Sequence, residues 1–151
     1  MKSIIIVLLF GLTSLLRADE NLPPVIRAGF DAYAAKGAEE AWNAWGLEST
    51  QAGIGQKGEL VAQDKAKFLA MASDTAKAYG RPLGYELIRR FEVSASYQTV
   101  YVLWRFDRRP LFCMFVCYRA RDEWKILNFF AGSDPREFLP ESVSGMPRNP
   151  R

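Results

Sequence analysis

Histidine is missing from the 151 residues, and cysteine occurs only twice. The first absence excludes a Ser-His-Asp or Cys-His nucleophile, an imidazole base and any histidine-bearing metal site. The two cysteines, Cys113 and Cys117, lie in LFCMFVCY, a run of β-branched and aromatic residues that reads as a strand. Four residues along a strand place them on one face about 13 Å apart, whereas a disulfide needs Cα atoms within about 7 Å. Both are therefore expected as free, buried thiols, with no metal and no cofactor. The Gly53-Ile54-Gly55 triplet follows no strand and lacks a third glycine and a lysine–hydroxyl pair, so it reads as turn geometry.

A long hydrophobic run occurs only once, from Ile4 to Leu16, after the positive start of Met1 and Lys2. It is shorter than the roughly 20 apolar residues that span a bilayer, and it has the layout of a secretory signal. Cleavage after Ala18 is expected, and no cysteine follows the run to carry a lipid. Residues 1–18 are thus read as a signal peptide and the remainder as secreted or periplasmic, with no membrane contact once the signal is gone. Loss of Lys2 and Arg17 reduces the 20 basic residues to 18 against 17 acidic ones, a balance of +1. That leaves no electrostatic footprint for nucleic acid or an anionic membrane. The basic pairs Arg89-Arg90 and Arg108-Arg109 read as strand and turn residues, because neighbours on a strand point to opposite faces.

The remaining 133 residues suit one domain, assigned to residues 19–140, with residues 141–151 (ESVSGMPRNPR) as a flexible tail. Its first half reads as helices. Asn21-Leu22-Pro23-Pro24 opens one, in which Ile26, Phe30, Tyr33 and Ala34 form a stripe that Gly37 ends. AEEAWNAW follows as a short second helix. A third runs from Glu59 to Tyr79 and stops at Gly80, with Leu60, Val61, Phe68, Met71, Ala72 and Tyr79 in one apolar sector. Asp64 falls inside that sector beside Thr75. A carboxylate facing a core costs several kcal/mol unless it is paired or hydrated, so Asp64 is either a pocket group or the overhanging start of the helix.

Beyond Leu83 the period becomes that of strands, at Tyr85–Val93, Thr99–Asp107, Leu111–Arg119 and Glu123–Ala131, an antiparallel meander. Val100, Val102, Trp104, Phe106, Leu111, Cys113, Phe115 and Cys117 then share one face. An even-length last turn adds Trp124, Ile126, Asn128 and Phe130 to it; an odd one would add Lys125, Leu127 and Phe129. The even count keeps Lys125 out of the core. The opposite face, carrying Tyr101, Leu103, Met114, Val116 and Phe129, is too apolar for solvent, and a second copy of the chain is the expected cover.

The helix opening IRAGFDAYAAKGAEEAWNAW, the strand entry PLGYELIRR, the pair TVYVLWRF and PLFCMFVCY, and the ending DEWKILNFFAGSDPREFLP resemble the NTF2-like (SnoaL-like) superfamily. The resemblance implies an α+β fold: a cone-like curved antiparallel sheet of about four strands covered by N-terminal helices. It also implies one of several roles, from ketosteroid isomerase-like and dehydratase enzymes to small-ligand binders and noncatalytic dimerisation domains, so fold does not choose function. No catalytic motif matches, and no catalytic residue is assigned. The expectation is a noncatalytic domain that holds a small apolar ligand, homodimerises, or both; the alternative is a cofactor-free isomerase, dehydratase or hydrolase using Asp64 as acid or base. Any pocket is expected between the third helix and the sheet, lined by Asp64, Asn128, Tyr33, Phe68, Trp104 and Phe115.

Overall fold

Among the described residues three bounded helices precede four strands, and the punctuation that separates them is local. In the computed structural model, which describes residues 22–48 and 58–145, α1 spans Pro24–Lys36, α2 Ala38–Ala44 and α3 Gly58–Tyr79. Pro24 opens α1, where a missing N–H is harmless, and Gly37 closes it at φ +96°, donating its N–H to the Tyr33 carbonyl. Gly80 closes α3 in the same region of φ. The last carbonyls of α3 are taken up by Arg108, whose Nη1 donates to Lys77 O at 2.9 Å and whose backbone N–H donates to Tyr79 O at 3.0 Å. One turn residue between strands thus anchors the end of the longest helix.

Strands β1 (Pro82–Ser94), β2 (Tyr97–Phe106), β3 (Leu111–Ala120) and β4 (Glu123–Gly132) form a single antiparallel sheet in chain order. Two one-turn helices follow, α4 (Pro135–Phe138) and α5 (Glu141–Ser144), so the first four residues assigned to a tail are helical. The fold is α+β with its helices on the N-terminal side. Among the described residues no helix is long and apolar enough to cross a membrane. Residues 1–18, where the signal is expected, lie outside the described residues.

The register assigns faces. Val100 pairs with Phe115 and Val102 with Cys113; both pairs face the helices and are at most 1% exposed. Arg89 pairs with Tyr101 on the outer face and Arg90 with Val100 on the inner one, as expected of neighbours on a strand. In β4 the pattern breaks. Val116 pairs with Asn128 but Cys117 with Ile126, so Leu127 is an extra, bulged residue. Trp124 and Ile126 face inward before the bulge, and Phe129 and Ala131 face inward after it. Neither the even nor the odd count holds along the whole strand, because the bulge changes the parity midway. Asn128 and Phe130, expected inside, are outside, and Phe129, expected outside, is inside.

The space between helices and sheet is filled by aromatic rings. Phe30 meets Trp45, Trp104 and Phe115 at centroid distances of 5.3, 5.0 and 5.7 Å, and Phe129 meets Trp45 at 5.1 Å and Phe115 at 5.0 Å. Most of these contacts are edge-to-face or tilted, the arrangement that aromatic quadrupoles favour. Trp45 is 1% exposed, and its indole N–H donates to the Ile26 carbonyl at 3.0 Å, tying the end of α2 to α1.

Candidate functional site

Of the six residues expected to line a pocket, the fold brings four together. Tyr33 packs edge-on against Trp104 at 4.6 Å, Phe68 touches Trp45 at 5.9 Å and Phe129 at 6.1 Å, and Phe115 lies behind them. These rings are packing partners in the core. The Tyr33 hydroxyl lies 3.5 Å from the Ala72 carbonyl, and burial pushes its pKa up, so it stays protonated.

The two polar members of that set are not brought together. Asp64 stands at the N-terminal end of the stripe that continues through Phe68, Ala72 and Thr75, with its carboxylate 3.5 Å from Lys67 one turn on. Its side chain retains a third of its accessibility, the overhanging arrangement. The side chains of Leu60 and Val61 lie outside the described residues. Asn128 is exposed on the far face of the sheet opposite Val116. The thickness of the sheet therefore separates it from α3.

Of the five residues expected on an exposed apolar face, three are exposed in part on the outer side of the sheet. Leu103, Met114 and Val116 lie partly exposed on the outer face. Tyr101 shares that face but is only 7% exposed, its ring covered edge-on by Phe91 at 5.8 Å. Phe129 belongs to the core, and its neighbour Phe130, opposite Met114 and 45% exposed, occupies the outer position.

A cavity of about 350 Å3 opens elsewhere, at the end of the inner sheet face where the apolar rows stop. Going along the sheet, the row of Val100, Phe115 and Phe129 is followed by Gln98, Cys117 and Ile126, and then by Arg119 paired with Trp124. Arg90 and Glu92 of β1 flank this end, and Leu22, Pro23 and Pro24 at the start of α1 cover it. Glu92 holds Arg90 in an ion pair at 3.0 Å. The Arg119 guanidinium lies 5.5 Å from the centre of the Trp124 ring, and among the described residues no carboxylate pairs with it. Gln98 is 2% exposed, lines the cavity, and has no side-chain hydrogen bond to another described residue.

Chemically this end can hold an anion. The three charged side chains among its described lining residues sum to +1, and a guanidinium braced on an indole face keeps its N–H edge available. Arg90, Gln98, Arg119 and Trp124 were missed from the sequence, although extending the inward parity of β2 and β3 by one further step on each strand places Gln98 and Arg119 inside. Among the described residues no group of three or more cysteine, aspartate or glutamate side chains is placed to hold a metal. No protein-family model, curated protein or solved structure matches the chain.

Proposed function

We propose that the chain is an exported, noncatalytic domain of the NTF2-like type that works as a homodimer, its outer sheet face serving as the interface. The observation that carries this reading is the outer face itself. Leu103, Met114, Val116 and Phe130 put apolar side chains on the outer face of β2, β3 and β4, and Tyr97 and Tyr118 add exposed aromatics beyond the row of Thr99, Val116 and Asn128. A monomer would leave that surface in water, whereas a two-fold axis through it buries the same residues twice.

The rim suits a self-complementary contact. Arg105 and Glu86, paired at 3.1 Å and half exposed, supply both signs at one edge, so two copies can exchange partners crosswise. The noncatalytic part of the reading is supported by the position of Asp64, which faces Lys67 rather than a hydrogen-bond donor across a cavity. Light scattering coupled to size exclusion at micromolar concentration should give twice the chain mass, and Val116→Lys should shift the mass towards the monomer. A wild-type protein that stays monomeric would refute the interface.

A further inference from the structure

We propose that the cavity at the polar end of the inner sheet face binds a small organic monocarboxylate, with Arg119 as the anchoring residue. Arg119 reaches that position because β3 continues three residues beyond Cys117, to Ala120, and the Arg119 backbone N–H donates to the Ser96 carbonyl at 2.8 Å, which fixes the strand end. Its guanidinium lies against Trp124. Stacking of this kind leaves the planar N–H fork free, and a fork matches two carboxylate oxygens in a bidentate pair.

The neighbours select the ligand's charge and size. Arg90 is held by Glu92, so among the described lining residues Arg119 is the cation that no carboxylate compensates. A second negative charge on the ligand would meet the Glu92 carboxylate, which favours a monoanion over phosphate or a dicarboxylate. Gln98, buried at the floor, offers an amide donor that gains a partner when an oxygen enters. Leu22, Pro23, Pro24 and Ala95 complete the lining with apolar surface for the organic part. At about 30 Å3 for each displaced water, 350 Å3 accommodates a molecule of about a dozen non-hydrogen atoms. The first turn of α1 adds the positive end of its dipole on the same side.

Asp19 and Glu20 stand three and two residues before Leu22 in the chain, so the protein carries carboxylates of its own near this position in sequence. The test therefore compares benzoate, the neutral isostere benzamide and inorganic phosphate on the purified protein, read by the indole N–H signal of Trp124, which a Trp124→Phe variant identifies. Benzoate should shift that signal saturably at a Kd of about 1 mM or below, with benzamide and phosphate at least about tenfold weaker. Arg119→Gln should abolish the preference for benzoate over benzamide, Glu92→Gln should tighten benzoate, and Lys77→Gln at the exposed end of α3 should change nothing. Equal binding of benzoate and benzamide would overturn the proposal without any variant. So would stronger binding of phosphate, or benzoate binding that emerges only when Asp19 and Glu20 are changed to Asn and Gln.

Discussion

Replacing Gly29 by alanine should destabilise this protein, although helix propensity alone says the opposite. Gly29 sits in the interior of α1, where alanine is favoured over glycine by about 1 kcal/mol. A Cβ there would lie 1.9 Å from Nε1 of Trp45, 2.1 Å from Cδ1 and 2.3 Å from Cε2, overlapping three atoms of one ring. The indole cannot yield in place, because Phe30, Phe115 and Phe129 hold it at centroid distances of 5.1 to 5.5 Å. Moving it far enough breaks the bond from its N–H to the Ile26 carbonyl and leaves a buried donor unpaired, a loss of about 1–3 kcal/mol. Overpacking adds a similar amount. After the propensity gain is subtracted, the net effect is a loss of about 1–5 kcal/mol, and the midpoint of that range corresponds to a fall in Tm of about 10 °C for a domain of this size.

Urea unfolding followed by far-UV circular dichroism measures this directly, and a Gly29→Ala protein as stable as the wild type would refute the reasoning. The mechanism has a sharper signature in a double-mutant cycle. In a Trp45→Ala background the ring is gone and only the propensity term remains, so Gly29→Ala should become stabilising by about 1 kcal/mol. A substitution that changes sign with its neighbour cannot be explained by the helix alone.

Burial raises both thiols, Cys117 to about 12 from an ordinary 9.0. An acid whose folded pKa exceeds its unfolded value contributes stability that is complete below the unfolded value and is lost as pH rises towards the folded one. Urea midpoints should therefore fall between about pH 9 and pH 12, by up to about 1.4 kcal/mol per pH unit for each thiol, and should fall less in a Cys113→Ala/Cys117→Ala protein; equal slopes would contradict it. Native thiols should react slowly with a disulfide reagent and rapidly in denaturant, since thiolates are the reactive form. Asp64→Asn should change stability by less than about 0.5 kcal/mol, because it removes only one long contact to an exposed lysine; a larger loss would mean that the carboxylate has a buried role.

How much of this was legible in the sequence depended on whether the determining interaction was local. Pro24, Gly37 and Gly80 act within a turn of where they stand, so the helix limits were readable to within a residue or two. The turns between strands were equally readable, because Ala95-Ser96, Asp107–Pro110 and Arg121-Asp122 interrupt long apolar stretches, whereas β1 begins at Pro82, three residues before the expected Tyr85. The bulge at Leu127 was not. In ILNFFA apolar side chains occur at both parities, so alternation fits either face and gives no sign that the strand takes an extra residue. Phe129 and Asn128 were misplaced for that one reason. The contact of Gly29 with Trp45 was hidden in another way, since it depends on how α2 folds back over α1.

The same bulge explains why polar chemistry sits at the end of the inner face rather than at its middle. With Leu127 absorbed, β4 presents Phe129 to Trp45 and Phe115 at mid-sheet and Ile126 to Cys117 in the next row, so the rings pack against one another at the centre. A polar group there would have to be buried without a partner, at a cost of several kcal/mol. Gln98 and Arg119 escape that cost because they lie on the last rows, where the helices give way to the prolines of the α1 entry and water can enter. Asp64 escapes it at the opposite layer by leaning towards Lys67. Among the described residues, Gln98 and Arg119 thus stand at one edge of the aromatic cluster, and a ligand can reach that edge without opening the rings that hold the domain together.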